Sequence, residues 1–418
     1  MRKILAPLAV SAALAALVAR PALSQPAQPF DGGTFGTTVA LPVLQTGLFG
    51  LDADLSTLGV DPTELATVGP QSSTESTGNM LVVGHDPSTC PDEQYPTIQS
   101  AVTAAPPGAM IKVCPGTYVE QVVIPAGKDG LTLFSQGDLQ AVIKAPPVMQ
   151  PPKTIVLIQA QNVTIRHFTI TGPGGGPCDS LEYGVRVDSG GSALITDNHI
   201  THIRDMPFSG CQNGVGVLIG RNFENTFGAG TVVHNLIDDY QKGGVVVDGQ
   251  LAPGAPASHA EVAYNEIDGI GPTAVIAQNG IQVSRGAIAD VHHNVVKNNI
   301  YSLADAGDEA ILLFQDASPQ TTINHNDVYD NNDGIGLYTT SNIEVGWNDS
   351  HDNTPYDGLF ANSDTAGNTI EYNRLYDNAE FDCDDISVGP GTAGTANFWT
   401  NDLGGTEDRP GLCKHAAP

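Results

Sequence analysis

Asp333-Gly-Ile-Gly-Leu-Tyr-Thr-Thr-Ser-Asn-Ile-Glu-Val-Gly-Trp-Asn348 holds two apolar strands around a short polar turn and closes on an asparagine. Its first strand alternates apolar and small residues with period two, the spacing of a strand that buries one face. The same opening recurs as YGVRV at Tyr183, NGVGV at Asn213, GGVVV at Gly243, NGIQV at Asn279, EAILL at Glu309, DGLFA at Asp357 and DDISV at Asp384. The closing asparagine recurs at Asn198, Asn235, Asn265, Asn294, Asn326, Asn373 and Asn401, with successive spacings of 37, 30, 29, 32, 22, 25 and 28 across the full series. A floor near 22 with variable excess describes a fixed coil that carries loops of changing length. Self-similarity on this scale indicates a solenoid.

Leucine-rich repeats would show leucine at several fixed offsets, and calcium-binding nonapeptide repeats would show nine-residue Gly/Asp units; neither pattern is found. An all-β, right-handed single-stranded parallel β-helix remains, with three short strands per coil and aliphatic side chains stacked inside. Roughly eleven coils at about 4.8 Å each predict a rod near ~50 Å long. Each asparagine is expected at the tight bend after the second strand, where it tolerates left-handed backbone geometry. Stacked copies would form an amide ladder.

With these repeats in view, the chain resembles the pectate-lyase-like right-handed β-helix superfamily from Leu81 to Cys413. Thr97 to Ile124, TIQSAVTAAPPGAMIKVCPGTYVEQVVI, is similar to the opening segment of that fold in pectinesterase-like secreted proteins. It predicts a short helix with Ile98, Ala101, Val102 and Ala105 on one face, stopped by Pro106-Pro107-Gly108. Such a helix would cover the open end of the solenoid, where apolar core and unpaired backbone otherwise face water. The resemblance implies a substrate groove along the glycine-led strands, walled by loops.

The chain starts Met1-Arg2-Lys3, continues through the small apolar run Ile4 to Val18, and reaches Ala22-Leu23-Ser24. That order describes a secretory signal peptide over residues 1–24. Residues 25–80, rich in Gly, Pro, Thr and Ser, read as a linker without fixed structure, and residues 81–418 as the solenoid. No other stretch reaches membrane-spanning length, so a secreted or periplasmic protein is expected. Its six cysteines suit disulfides in that setting. Among the fifteen pairings that six cysteines allow, the sequence-local one is preferred: Cys90 with Cys114, Cys178 with Cys211 and Cys383 with Cys413. Seventeen Lys and Arg against 46 Asp and Glu give a net charge of −29. This balance argues against nucleic acid and anionic membranes as partners, and it repels polyanionic glycans unless divalent cations bridge.

Alternation along the glycine-led strands sends Arg186, Asp188, Asp248 and Gln282 outward in the N-terminal half, and Phe314, Tyr338 and Phe360 in the C-terminal half. An Arg among carboxylates and an amide is a candidate acid/base set for lyase or hydrolase chemistry, and the aromatic residues suit sugar binding. Asp308 and Glu309 enter the same face as adjacent carboxylates, a pairing that raises a pKa. Asp330, Asp333, Asp352, Asp357 and Asp384 recur in phase, and oxygen-rich turns suit Ca²⁺. The bland reading of all these residues is a hydrated acidic surface chosen for turn geometry. His199 and His202, near Asp205, and the pair His292-His293 are further acid/base candidates, although no spacing matches a zinc motif.

Motifs of the named activities are missing. There is no Arg-x-Pro-x-x-Arg of pectate lyases, no polygalacturonase set beyond an isolated Asp384-Asp385, and no pectinesterase signature past the opening segment. Two expectations therefore stand. One is a monomeric enzyme of lyase, hydrolase or epimerase type acting on extracellular polysaccharide. The other is a non-catalytic glycan-binding or cell-surface module.

Overall fold

A computed structural model of the chain describes residues 80–249, 254–303, 308–315 and 318–414. The leader expected over residues 1–24, and the expected linker up to residue 79, lie outside the described residues, while Met80 opens the first strand. The strands form three parallel sheets of twelve, ten and ten strands, each hydrogen-bonded to its counterpart one coil away. The twelve-stranded sheet runs from Met80–Val83 to Phe398–Thr400. A sheet of short strands runs from Gly116–Val119 to Arg374–Tyr376, and the glycine-led sheet from Val122–Ile124 to Cys383–Asp385. Ten complete coils therefore stack into one rod, close to the expected eleven.

The period-two pattern fills the bore. Val187, Ile219, Val247, Val283, Leu313, Leu337 and Ala361 stand in register on consecutive coils and all are fully buried. Each fully buried aliphatic side chain contributes about 1.5–3 kcal/mol, so stacks of this kind supply the main drive to coil. At the N-terminal end the helix Ile98–Ala104 buries Ile98, Ala101 and Val102, and Ala105 is buried at its C-cap. Thr97 Oγ1 accepts from the Ser100 amide, and the Glu120 carboxylate accepts from the amides of Ile98 and Gln99 at 2.8 and 2.9 Å. These groups satisfy amides that a helix start leaves without intrahelical partners.

The amide ladder exists, with two corrections to its details. Asn198, Asn235, Asn265, Asn294, Asn326, Asn348 and Asn373 are buried, and each Nδ2 donates to the side-chain oxygen of the next member at 2.8–3.1 Å. The left-handed residue is not the asparagine but the one before it: Asp197, His234, Tyr264, His293, His325, Trp347 and Tyr372 have φ between 54° and 61°. This offset explains the second correction. Asn401, with φ 64°, occupies the bend position, and Asp402 ends the ladder by accepting from Asn373. A second ladder links Asn299, Asn331, Asn353 and Asn378 to Asp382 at the bend into the glycine-led sheet.

All three sequence-local disulfides form, Cys90–Cys114, Cys178–Cys211 and Cys383–Cys413, and no described cysteine is free. The last one ties the C-terminal segment to the final strand of the glycine-led sheet.

Candidate functional site

The outer side of the glycine-led sheet is not the solvated surface that alternation suggested. Arg186, Asp188, Asp248, Gln282, Ser284, Glu309, Tyr338 and Phe360 point away from the bore, yet all are buried. A charged group under cover must find a partner or change its protonation state. Three separate groups result.

Arg186 donates from Nε to Asp188 Oδ2 at 2.8 Å and from Nη1 to Glu224 Oε1 at 3.1 Å. Glu224 arrives on the short 3₁₀ turn Asn222–Glu224. Burial alone would raise its pKa, but the hydrogen bonds and charge of Arg186 hold it below the usual carboxylate range. Two coils further on, Asp248 accepts from Ser284 Oγ and Arg285 Nη1, both at 3.1 Å, and from the Asn222 amide at 2.8 Å. Gln282 donates to Ser284 Oγ at 3.1 Å. The expected catalytic quartet is thus divided, Arg186 and Asp188 joining Glu224 while Asp248 and Gln282 meet Ser284 and Arg285, because Arg186 and Gln282 are separated by the strands that carry Leu218 and Val246. The aromatic half is corrected as well. Tyr338 and Phe360 pack on Leu312, with Phe314 and Ile386 against them, as a small outer core rather than an open platform.

The third group has no such neutral pairing. Glu309 opens its strand in register with Asp333, and its side chain leans along the sheet over Gly336, the residue paired with Leu312. A Cβ at Gly336 would lie 2.8 Å from Glu309 Cγ and 3.0 Å from Tyr338 Cε2, so the glycine makes the space these two side chains occupy. Tyr338 Oη donates to Glu309 Oε1 at 2.9 Å. Lys242, 2% exposed, donates from Nζ to the Ala277 carbonyl at 2.8 Å. Burial raises the Glu309 pKa to about 7, opposed by the Tyr338 hydrogen bond and the Lys242 charge. Burial likewise lowers Lys242 to about 8, opposed by Asp308 and Glu309. Asp308, fully buried beside them, is pushed well above the carboxylate range by the same loss of water. Strongly shifted groups in one place mark a candidate site.

Asp308, Glu309 and Tyr338 were expected on this face; Lys242 and Arg285 were not. Their signal lies in phase: Lys242 immediately precedes the strand Gly243–Asp248 and Arg285 immediately follows Asn279–Ser284, positions that strand alternation does not read.

The acidic set separates into two columns. Asp330 and Asp352 are exposed at left-handed bends, whereas Asp333 and Asp357 are buried at or just before the starts of glycine-led strands and Asp384 is buried within the last of them, Cys383–Asp385. Asp333 Oδ1 accepts from the Asp357 amide at 2.8 Å and Asp357 Oδ1 from the Phe381 amide at 2.9 Å, so these carboxylates cap backbone across coils. Among the described residues, no three acids of this set bring their oxygens into one cluster of metal-binding size. His199 and His202 each pair with a different aspartate of the next coil, Asp238 at 2.9 Å and Asp239 at 3.2 Å, while Asp205 binds Ser180 and Ser209 instead.

The sequence matches the right-handed β-helix region over residues 153–348 and 255–398, which together span more than half of the chain. No curated protein matches it. Among solved structures, XylC in complex with xylose is 12% identical and aligns over 71% of this chain and 69% of its own, with a TM-score of 0.53. The GH136 lacto-N-biosidase from Eubacterium ramulus is 14% identical over 72% of this chain and 64% of its own, with a TM-score of 0.49. The periplasmic alginate epimerase AlgG is 14% identical over 73% and 68%, with a TM-score of 0.42. At such identities the likeness concerns the fold alone. Repeat, parallel coil and family match agree: the chain belongs to the right-handed β-helix family.

Proposed function

We propose that this protein is an exported enzyme acting on extracellular polysaccharide, of the lyase or epimerase type, with Glu309 as its proton-transfer group. The observation that carries the reading is Glu309 itself: a carboxylate held by Tyr338 Oη at 2.9 Å with a pKa raised to about 7. A base poised near neutrality is suited to removing a carbon-bound proton next to a sugar carboxylate. Lys242, cationic below about 8, would stabilise the negative charge that develops there. It also gives an acidic polymer a local cation on a chain of net charge −29. Three disulfides support an oxidising, extracytoplasmic setting.

One observation favours the second reading, a non-catalytic glycan-binding module. Glu309 is 1% exposed, so a polymer reaches it only when this face is uncovered. Product formation from a panel of neutral and acidic polysaccharides, with Ca²⁺ and with EDTA, separates the two. Absorbance at about 235 nm, the unsaturated product of a proton abstraction, or solvent deuterium at a sugar carbon supports the enzyme. Glu309→Gln is expected to abolish either signal while keeping the fold. Loss with EDTA alone would bring Ca²⁺ into the reaction, and silence with retained glycan binding favours the module.

A further inference from the structure

A column of exposed rings runs along the bend between the twelve-stranded and short-strand sheets. His234, Tyr264, His293, His325, Trp347 and Tyr372 stack with centroids 4.4–6.1 Å apart and planes within 24° of parallel. Each is the left-handed residue before a ladder asparagine. Their faces are taken up by one another and their edges point outward, so the column presents ring edges to a ligand rather than stacking surfaces. At one coil it is joined by a second imidazole, that of His292.

We propose that His292 and His293 form a chelating site for a divalent transition-metal ion of square-planar or tetragonal preference, Cu²⁺ foremost. His292 ends the strand Ile288–His292, and the φ of 55° at His293 turns both rings to the same side. Their Nδ1 atoms are hydrogen-bonded at 3.0 Å, one ring's N–H donating to the other's lone pair, with the ring planes at 88°; a metal ion would displace that one proton and take both nitrogens. His292 Nε2 lies 3.5 Å from Glu261 Oε1 and 3.9 Å from Asp290 Oδ2. Carboxylates on that side favour the tautomer that keeps the proton on Nε2 and leaves Nδ1 as a lone pair, the role that outer partners of metal-binding histidines play.

The separation suits a tetragonal ion. Two bonds of ~2.05 Å to nitrogens 3.0 Å apart subtend roughly 94° at the metal. That is the angle of a tetragonal Cu²⁺ or Ni²⁺ site, whereas a tetrahedral Zn²⁺ would hold the nitrogens near ~3.3 Å. Of these ions Cu²⁺ binds most tightly to a given nitrogen set. The His293 ring is held between Tyr264 at 4.8 Å and His325 at 5.0 Å, so little orientational freedom is lost on binding. His325 offers no comparable pair, since its Nδ1 meets Asn324 Oδ1 at 3.0 Å.

The test is a titration of the full-length protein with Cu²⁺, stripped beforehand with EDTA and dialysed, followed by calorimetry and electron paramagnetic resonance. One tight site per chain is expected, with hyperfine splitting from two nitrogens. His292→Gln and His293→Asn should each weaken it at least about tenfold; Asn is chosen because it accepts the left-handed backbone. His234→Asn, in the same column without a neighbouring imidazole, should change affinity less than about twofold. Equal binding by His293→Asn and the unaltered protein, in samples with unchanged circular dichroism, overturns the assignment, as does a spectrum lacking the two-nitrogen splitting. The readout is independent of polysaccharide turnover.

Discussion

An asparagine of the central ladder does what aspartate cannot, because its amide accepts and donates at once. Asn294 Oδ1 accepts from the amide and Nδ2 of Asn265, and its Nδ2 donates to Val262 O, His292 O and Asn326 Oδ1 at 2.8–3.1 Å. Only the last member needs no donor. There Asp402 serves, and burial raises its pKa to about 6. Asn294→Ala would leave several buried polar groups without partners, at about 1–3 kcal/mol each. A loss of about 4 kcal/mol in urea-unfolding free energy is expected. Asn401→Ala sits at the bend and should cost only about 1 kcal/mol, because alanine lacks the short polar side chain by which asparagine tolerates left-handed backbone. Equal losses from the two substitutions would mean that Asn401, not Asp402, closes the ladder.

Among the strands, Asp333–Tyr338 decides whether the candidate site exists. It sets Gly336 against the Glu309 side chain and Tyr338 two residues on, so one strand provides both the space and the hydrogen-bond donor. Gly336→Ala puts a methyl group 2.8 Å from Glu309 Cγ. Its backbone φ is unremarkable, so the cost falls on the site rather than on the coil. The substitution is expected to lower turnover at least about 100-fold, as a small displacement of a catalytic group does, with a melting temperature within a few degrees of the parent. Turnover within twofold of the parent would remove Glu309 from the proposed mechanism.

Across the whole molecule, buried acids with raised pKa set the response to pH. Glu309 titrates near 7 in the folded chain against 4.5 as its ordinary value, so the folded state binds the extra proton between them. Stability therefore falls as pH rises through this window, and the full penalty is present above about 7. The difference amounts to about 3 kcal/mol. Glu309→Gln carries no such charge, so the parent should lose about 3 kcal/mol relative to it between pH ~4.5 and ~8. Unfolding free energies of both proteins at the two ends check this, and parallel curves would contradict a carboxyl whose burial outweighs the Tyr338 hydrogen bond and the Lys242 charge. The coil, the capping helix and the disulfide pairs were legible because each follows from local periodicity or short separation. Positions such as Val187 and Ile219 point inward whatever surrounds the rod, and Cys90 is tied to Cys114 in the next coil. What lies on the outer side of the glycine-led strands was not legible. Alternation separates bore from exterior but does not say whether the exterior meets water, and Lys242 joins Asp308 and Glu309 only because coils two steps apart stack in register. The sequence by itself determined the solenoid. The tertiary structure alone decided which charged residues lose their water, since burial depends on contacts between coils and loops that no single repeat encodes.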